Sequence, residues 1–417
     1  MPRSCKSGMI VRARSVVTMD GSFVGNGAVA ISGNEILDVG KFDEIKTRNS
    51  GPVIDLGERA LLPGLINAHC HLDYTCLRGR IPRQQSFADW IRAINAEKSK
   101  LAAHHYVASI NKGFEQAKTF GTTTIANLTA FPQLIRDLSN IPIRTCWFAE
   151  LIDVRSTNGS NQLVDSALES LSSVENRGLA PHALYTASKN LYQRCQRADP
   201  NFLRTTHLSE SREEMEMFRD GSGPLYEFMK SIGRPMDDCG HDTPLMHFMR
   251  ATAFSMPFRS YNDWLIAHLN ELSESDFGLL EKMETRFHVV HSPRSHQYFG
   301  HSRFPFSRLK GIGFNICLGT DSLASNESLS LFAEMRAFQR NEPKSSPEEI
   351  FKMVTVNAAL ALRQQNKLGQ VRPGFRADLV AVPCNERDDL FGQIVAFDGD
   401  IEWIMVDGRP TIQSGGD

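Results

Sequence analysis

Between residues 60 and 322 the chain repeats one device: a short apolar run that ends on histidine or aspartate. The runs close on Asn67-Ala68-His69-Cys70-His71, Thr206-His207, Ala267-His268, Val290-His291 and Gly319-Thr320-Asp321. Their composition is that of strands. Strand side chains alternate with period two, so His69 and His71 point to one side of the backbone and both imidazoles can hold one ion. A lone His-x-His has an ordinary reading, two polar residues where a strand meets a loop, but four further endings of the same kind argue against chance. Helical stretches at 87–102, 111–119, 164–174 and 346–362 separate the runs. This alternation over 63–369 predicts a parallel α/β architecture closed into a (β/α)8 TIM barrel, with its chemistry at the carboxyl ends of the strands.

The flanks read differently. Strand patterns at 9–13, 15–19, 27–31 and 35–39, with turns at Asp20-Gly21 and Gly33-Asn34, are too few for a complete domain. Residues 374–382 and 401–408 supply matching strands. The two termini are therefore expected to pair into one small β-sandwich domain, built from 1–62 and 370–417.

Composition excludes several functions. An apolar content of 41% and a charged content of 23% are those of an ordinary globular chain. With a net charge of −2 and no basic cluster interleaved with aromatics, neither nucleic acid nor an anionic membrane is an expected partner. The start of the chain lacks an apolar signal core, and no run approaches the ~18 apolar residues of a membrane span. Eight cysteines without a Cys-x-x-Cys pair fit reduced thiols, so a cytoplasmic location is expected. Dinucleotide, Walker, nucleophile-elbow and Pro-Cys-x-x-Cys motifs are absent from the sequence.

Residues 62–71, His207-Leu208-Ser209-Glu210, His268, His291-Ser292-Pro293, 318–322 and 374–379 together resemble the metal-dependent amidohydrolase superfamily, specifically its cytosine deaminase and chlorohydrolase branch. The resemblance implies that His69, His71, His207 and Asp321 bind one divalent ion, while Glu210 and His268 act on the substrate. No lysine stands at 181–188 for a carbamate bridge, so the site reads as mononuclear. Within the branch, residues 86–91, 150–152, 210–224 and 320–326 are similar to aminodeoxyfutalosine deaminases and to methylthioadenosine/S-adenosylhomocysteine deaminases. Ser292 and Ser295-His296-Gln297 depart from the usual pattern.

Three imidazoles and a carboxylate suit a borderline ion, Zn2+ first, with Fe2+ and Mn2+ open. Such an ion lowers the pKa of bound water from about 15.7 to around 7. Glu210 would protonate a ring nitrogen, Asp321 would take the water's proton, and His268 would hydrogen-bond the attacking oxygen. The implied activity is hydrolytic removal of the 6-amino group of an adenine-containing small nucleoside. Aminodeoxyfutalosine is favoured, then methylthioadenosine, S-adenosylhomocysteine or 5′-deoxyadenosine. Two alternatives stand beside it, a guanine deaminase or chlorohydrolase on the same site and a non-catalytic barrel used for assembly. His182 and Glu150 are candidates for substrate contacts, Phe87 and Trp90 for stacking on a base, and His291 for either a substrate contact or a structural hydrogen bond. Arg78, Arg83 and Arg294 are candidates for pairing with a substrate carboxylate. A homodimer is expected from the look-alike proteins.

Overall fold

The computed structural model describes residues 8–21, 23–154, 159–252, 261–385 and 389–412. The amino-terminal strands are β1 (Met9–Val17), β2 (Phe23–Ser32), β3 (Glu35–Lys41), β4 (Val53–Asp55) and β5 (Arg59–Pro63). The middle of the chain carries β6 (Leu65–Cys70), β7 (Thr122–Thr129), β8 (Arg144–Leu151), β9 (Arg177–Pro181), β10 (Leu203–Leu208), β11 (Trp264–His268), β12 (His288–His291) and β13 (Ile316–Leu318). The chain returns through β14 (Leu379–Pro383), β15 (Trp403–Val406) and β16 (Arg409–Ile412).

β6 to β13 pair in chain order, each parallel to the next. All eight residues of β7 are buried, as expected where a parallel strand is covered on both faces. The ring closes at its carboxyl end: Cys70 and Asp321 form a parallel bridge, and the Thr320 and Asp321 amides donate to the His69 carbonyl at 3.0 and 3.1 Å. At the opposite end the β6–β13 seam is filled by backbone from another segment. The Val354 carbonyl accepts from Ile66 N at 2.8 Å and the Met353 carbonyl from Leu318 N at 3.2 Å. Those two carbonyls explain a departure from the expected helix at 346–362, which is broken into Pro347–Lys352 and Val356–Ala361. The expected helix at 87–102 likewise stops at Lys98, and a new one runs Ala103–Thr119.

The termini meet as expected. β14 pairs antiparallel with β5, so the ladder runs β16-β15-β14-β5-β1-β2-β3, with β4 on β1. The expected strands at 9–13 and 15–19 are one continuous β1. Side chains from both wings, among them Val11, Val29, Ile36, Leu61, Leu379 and Trp403, share one apolar cluster that holds the sheet folded on itself. Among the described residues no helix is long and apolar enough to cross a membrane. The described cysteines are free thiols, and Cys5 lies outside the described residues.

Candidate metal and catalytic centre

Asn67 ties β6 to the segment after β13, because its Nδ2 donates to Thr320 Oγ1 at 2.8 Å and its Oδ1 accepts from Thr320 N at 3.2 Å. Only glycine permits this approach at 319, where a Cβ would stand 2.7 Å from the His69 carbonyl oxygen. The same bonds that shut the barrel therefore bring Asp321 against His69 and His71.

His69, His71 and His207 are buried and present ring nitrogens within 4.8 Å of one another. His71 Nε2 and His207 Nε2 face each other at 3.2 Å, and Asp321 Oδ1 lies 3.8 Å from both His69 Nε2 and His71 Nε2. Ligands about 2.0–2.1 Å from a tetrahedral ion are separated by roughly 3.4 Å, so these spacings suit one shared cation. Both ring nitrogens of His69 and Nδ1 of His71 are buried without a hydrogen-bond partner among the described residues. Buried polar atoms are rarely left so, and a cation at the shared centre would satisfy His69 Nε2, while His71 Nδ1 points the other way, 3.7 Å from Glu150 Oε1. His207 Nδ1 donates to the His182 carbonyl at 2.8 Å, which leaves Nε2 as the acceptor.

Burial first, and the neighbouring His207 imidazole, push His69 down to about 3, and burial also lowers His71 and His207. The rings are thus neutral at pH 7, as ligation requires. Burial opposes the charge on Asp321, but His268, His69 and His207 outweigh it and keep the carboxyl below its usual range. Ser295 donates to Asp321 Oδ2 at 2.7 Å and Ser322 N to Oδ1 at 2.7 Å. The donor set fits a divalent ion.

Glu210 lies just past β10, with Oε1 3.6 Å from His268 Nε2. Its amide donates to Glu214 Oε2 at 2.8 Å and its carbonyl accepts from Asn270 Nδ2 at 2.9 Å, so its backbone is fixed from two sides. Burial, with the charges of Asp321 and Glu214, raises Glu210 well above the usual carboxylate range, which favours its proton-carrying form. Left-handed backbone concentrates here: Ser209 (φ 51°), His268 (φ 75°), Leu269 (φ 52°) and Asp321 (φ 55°) are four of the eight such non-glycine residues among those described. Each costs on the order of 1–3 kcal/mol, a strain that clusters where side chains must be aimed.

A cavity of about 260 Å³ opens over these groups. His71, His207, Glu210, His268 and Asp321 line it, together with Phe87, Trp90, Glu150 and His182. Glu150 Oε1 is 3.7 Å from His71 Nδ1, and burial pushes its carboxyl up to about 7. Phe87 and Trp90 stack at 6.0 Å between centroids. The His182 ring is held in its turn by Thr186 Oγ1 at 2.6 Å and meets Tyr185 edge-on at 5.8 Å. Four expected contacts lie outside the lining. Arg78 is exposed at the end of the 3-10 turn Leu72–Leu77. Arg294 is held away by Ser328 Oγ at 2.8 Å and Glu327 Oε2 at 3.0 Å. His291 stacks on Phe304 at 4.0 Å. Arg83 also points elsewhere, 5.7 Å over the Tyr298 ring. Sequence reasoning passed over Tyr74 and Lys98 and gave Tyr185 and Ser295 no direct role in the site. Lys98 had a legible signal, since it continues the helical spacing of Phe87, Trp90, Ile91 and Ile94.

The sequence pattern of the amidohydrolase family matches residues 60–411, most of the chain. The chain belongs to the amidohydrolase family. As an amidohydrolase it is a hydrolase of carbon–nitrogen bonds. A 5-methylthioadenosine/S-adenosylhomocysteine deaminase of Thermococcus sibiricus is 26% identical over 406 residues, covering 91% of this chain and 88% of that protein. The crystal structure of Helicobacter pylori aminofutalosine deaminase in complex with methylthio-coformycin superimposes with a TM-score of 0.86 at 20% identity, covering 97% of this chain and all (100%) of the other. That of a Xanthomonas campestris adenosine deaminase with bound zinc gives 0.80 at 20% identity, covering 97% and 93%. These two likenesses show a fold shared along nearly the whole chain.

Proposed function

We propose that this amidohydrolase is a metal-dependent deaminase that hydrolyses the 6-amino group of an adenine-containing small nucleoside. The observation that carries the reading is the convergence of His69, His71, His207 and Asp321 beside the buried Glu210 at the floor of one largely apolar cavity. The names of the relatives support the same substrate class. Bound by those four side chains, a divalent ion, zinc in our reading, would supply Lewis-acid activation of water at neutral pH.

The remaining steps belong to the protein. Glu210 gives its proton to a ring nitrogen, which makes the adjacent amino-bearing carbon electrophilic. His268, 3.6 Å from Glu210, offers a hydrogen bond to the oxygen that adds to that carbon. Asp321 accepts the proton lost by water, and Glu210, left ionised, takes up the proton of the added hydroxyl as the carbonyl forms and passes it to the departing amine, so that the carbon–nitrogen bond breaks and ammonia leaves; the proton held by Asp321 then restores Glu210. Phe87 and Trp90 supply aromatic faces for the base, and Glu150 and His182 supply an acceptor and a donor for sugar hydroxyls.

The expected preference is aminodeoxyfutalosine first, then methylthioadenosine, S-adenosylhomocysteine and 5′-deoxyadenosine. Incubating zinc-loaded protein with each should release one ammonia per nucleoside with an adenine-to-hypoxanthine absorbance change. A metal-replete preparation that leaves all four intact overturns the reading.

A further inference from the structure

Asn270 is buried just past β11 and bonds through both ends of its side-chain amide. Its Nδ2 donates to the Glu210 carbonyl at 2.9 Å, which leaves Oδ1 to accept, and His296 Nδ1 stands 3.1 Å from that oxygen. The orientation of the amide therefore puts the imidazole hydrogen of His296 on Nδ1. His296 is itself buried, on the helix Pro293–Phe299 that follows β12. One residue earlier on that helix, Ser295 donates to Asp321 Oδ2 at 2.7 Å, with Ser325 Oγ 2.8 Å from the same hydroxyl. Neighbouring side chains of one helix thus reach the two groups that exchange a proton in the reaction above, Asp321 directly and Glu210 through Asn270.

A buried amide takes hydrogen-bond partners wherever it lies, so satisfied bonds have an ordinary explanation. The backbone around this one departs from it. Ser209 (φ 51°), His268 (φ 75°) and Leu269 (φ 52°) are left-handed, and the two strand ends are tied across them. Leu269 N donates to the Leu208 carbonyl, and Asn270 N and Glu271 N both donate to the Ser209 carbonyl, each at 2.9 Å. A backbone in such conformations keeps its shape only where its surroundings over-determine it. Past Ser209 the restraint passes to side chains: Glu214 Oε2 accepts from the Glu210 amide at 2.8 Å, and Asn270 takes the Glu210 carbonyl. His268, two residues before Asn270, places Nε2 3.6 Å from Glu210 Oε1, so one short segment sets the spacing of the two groups that act on the substrate.

Resting on the deaminase reading above, we infer that Asn270 and His296 are positioning residues, a relay from the helix Pro293–Phe299 to the Glu210 backbone that holds the acid at a fixed distance from His268 and Asp321. Neither lines the catalytic cavity. The helix acts as a common brace, through Ser295 for the proton acceptor and through His296 for the proton donor. Such a brace acts on kcat, because it sets the geometry of proton transfer and not the fit of the nucleoside.

The test compares Asn270→Ala, His296→Leu and His296→Asn with the zinc-loaded parent on the fastest of the four nucleosides named above. An asparagine amide nitrogen sits as many bonds from the backbone as imidazole Nδ1, so His296→Asn keeps a donor for Asn270 Oδ1, whereas leucine keeps only bulk. Asn270→Ala and His296→Leu should lower kcat by about ten- to a hundredfold, with KM within about twofold of the parent and zinc content unchanged, and His296→Asn should keep most of the rate. Hydrogen exchange over residues 208–214 reads the same brace without turnover: it should quicken by about tenfold in the two disruptive variants and stay near parental in His296→Asn. Should Asn270→Ala fail to fold, the two His296 variants carry the comparison. Parental kcat or parental exchange in His296→Leu, or a loss of rate that His296→Asn does not relieve, overturns the inference and leaves the deaminase reading standing. A parent that deaminates none of the four nucleosides while exchange follows the expected order overturns the deaminase reading alone.

Discussion

Glu210 and Gly319 show how differently single residues can serve one centre. Glu210 touches no candidate metal ligand through a hydrogen bond, and its own bonds are made by the backbone. Glu210→Gln should therefore keep the metal, measured by elemental analysis, while kcat falls by about 10² to 10⁴ through loss of the transferable proton. Parental turnover in this variant would remove Glu210 from the reaction. Gly319 performs no chemistry, yet a methyl group there meets the His69 carbonyl at 2.7 Å, against backbone that shuts the barrel. Gly319→Ala should cost about 1–3 kcal/mol and lower metal content together with the melting temperature. Normal zinc occupancy would show that the β6–β13 seam can relax. His69, His71 and His207 were legible because a period-two repeat and a strand ending are local patterns. Ser295, which holds Asp321, was not, because the contact joins the helix Pro293–Phe299 after β12 to the segment after β13.

Elements place these residues, and two of them are held by carboxylates set against backbone amides. The helix Phe87–Lys98 is docked through its first turn, where Glu213 accepts from Phe87 N at 2.7 Å and Ala88 N at 3.0 Å. The segment after β10 that carries Glu210 thus also holds the helix that carries the aromatic wall and Lys98. The helix Leu331–Asn341 is tied in by Glu334, which accepts from Arg294 N at 2.9 Å and Asn326 Nδ2 at 2.7 Å. Burial pushes this carboxyl up to about 8 from an ordinary value of 4.5. Above 4.5 the unfolded chain gives up this proton while the folded chain keeps it, so the contribution to stability is greatest at low pH. It then declines by up to about 1.4 kcal/mol per pH unit until about 8. Denaturant unfolding at pH 6 and pH 8 should show Glu334→Gln gaining on the parent as pH rises, and an unchanged difference would mean that Glu334 is ionised in the fold. The helices at 87–98 and 347–361 were half legible. Their periodicity was plain, but the break at Met353 and Val354 was not, because those carbonyls are claimed by β13 and β6.

At the scale of the whole molecule the candidate metal would be a structural tie as well as a reagent, since its four ligands come from β6, β10 and the segment after β13, at opposite ends of the barrel sheet and its middle. Chelation should lower the melting temperature by the equivalent of about 2.7 kcal/mol for metal originally at a hundredfold excess over Kd, and added zinc should restore it. A melting curve indifferent to chelator would argue against an ion bridging those strands. The sequence alone determined the alternation of strands and helices and the histidine and aspartate strand ends, because these rest on local periodicity and spacing, while the family came from the resemblance of its motifs. The tertiary structure alone decided which cation faces the cavity and which loop arginines turn away. Three arginines and one lysine look alike in one dimension, and only the direction of a helix face and competition from Glu327, Ser328 and Tyr298 separates them.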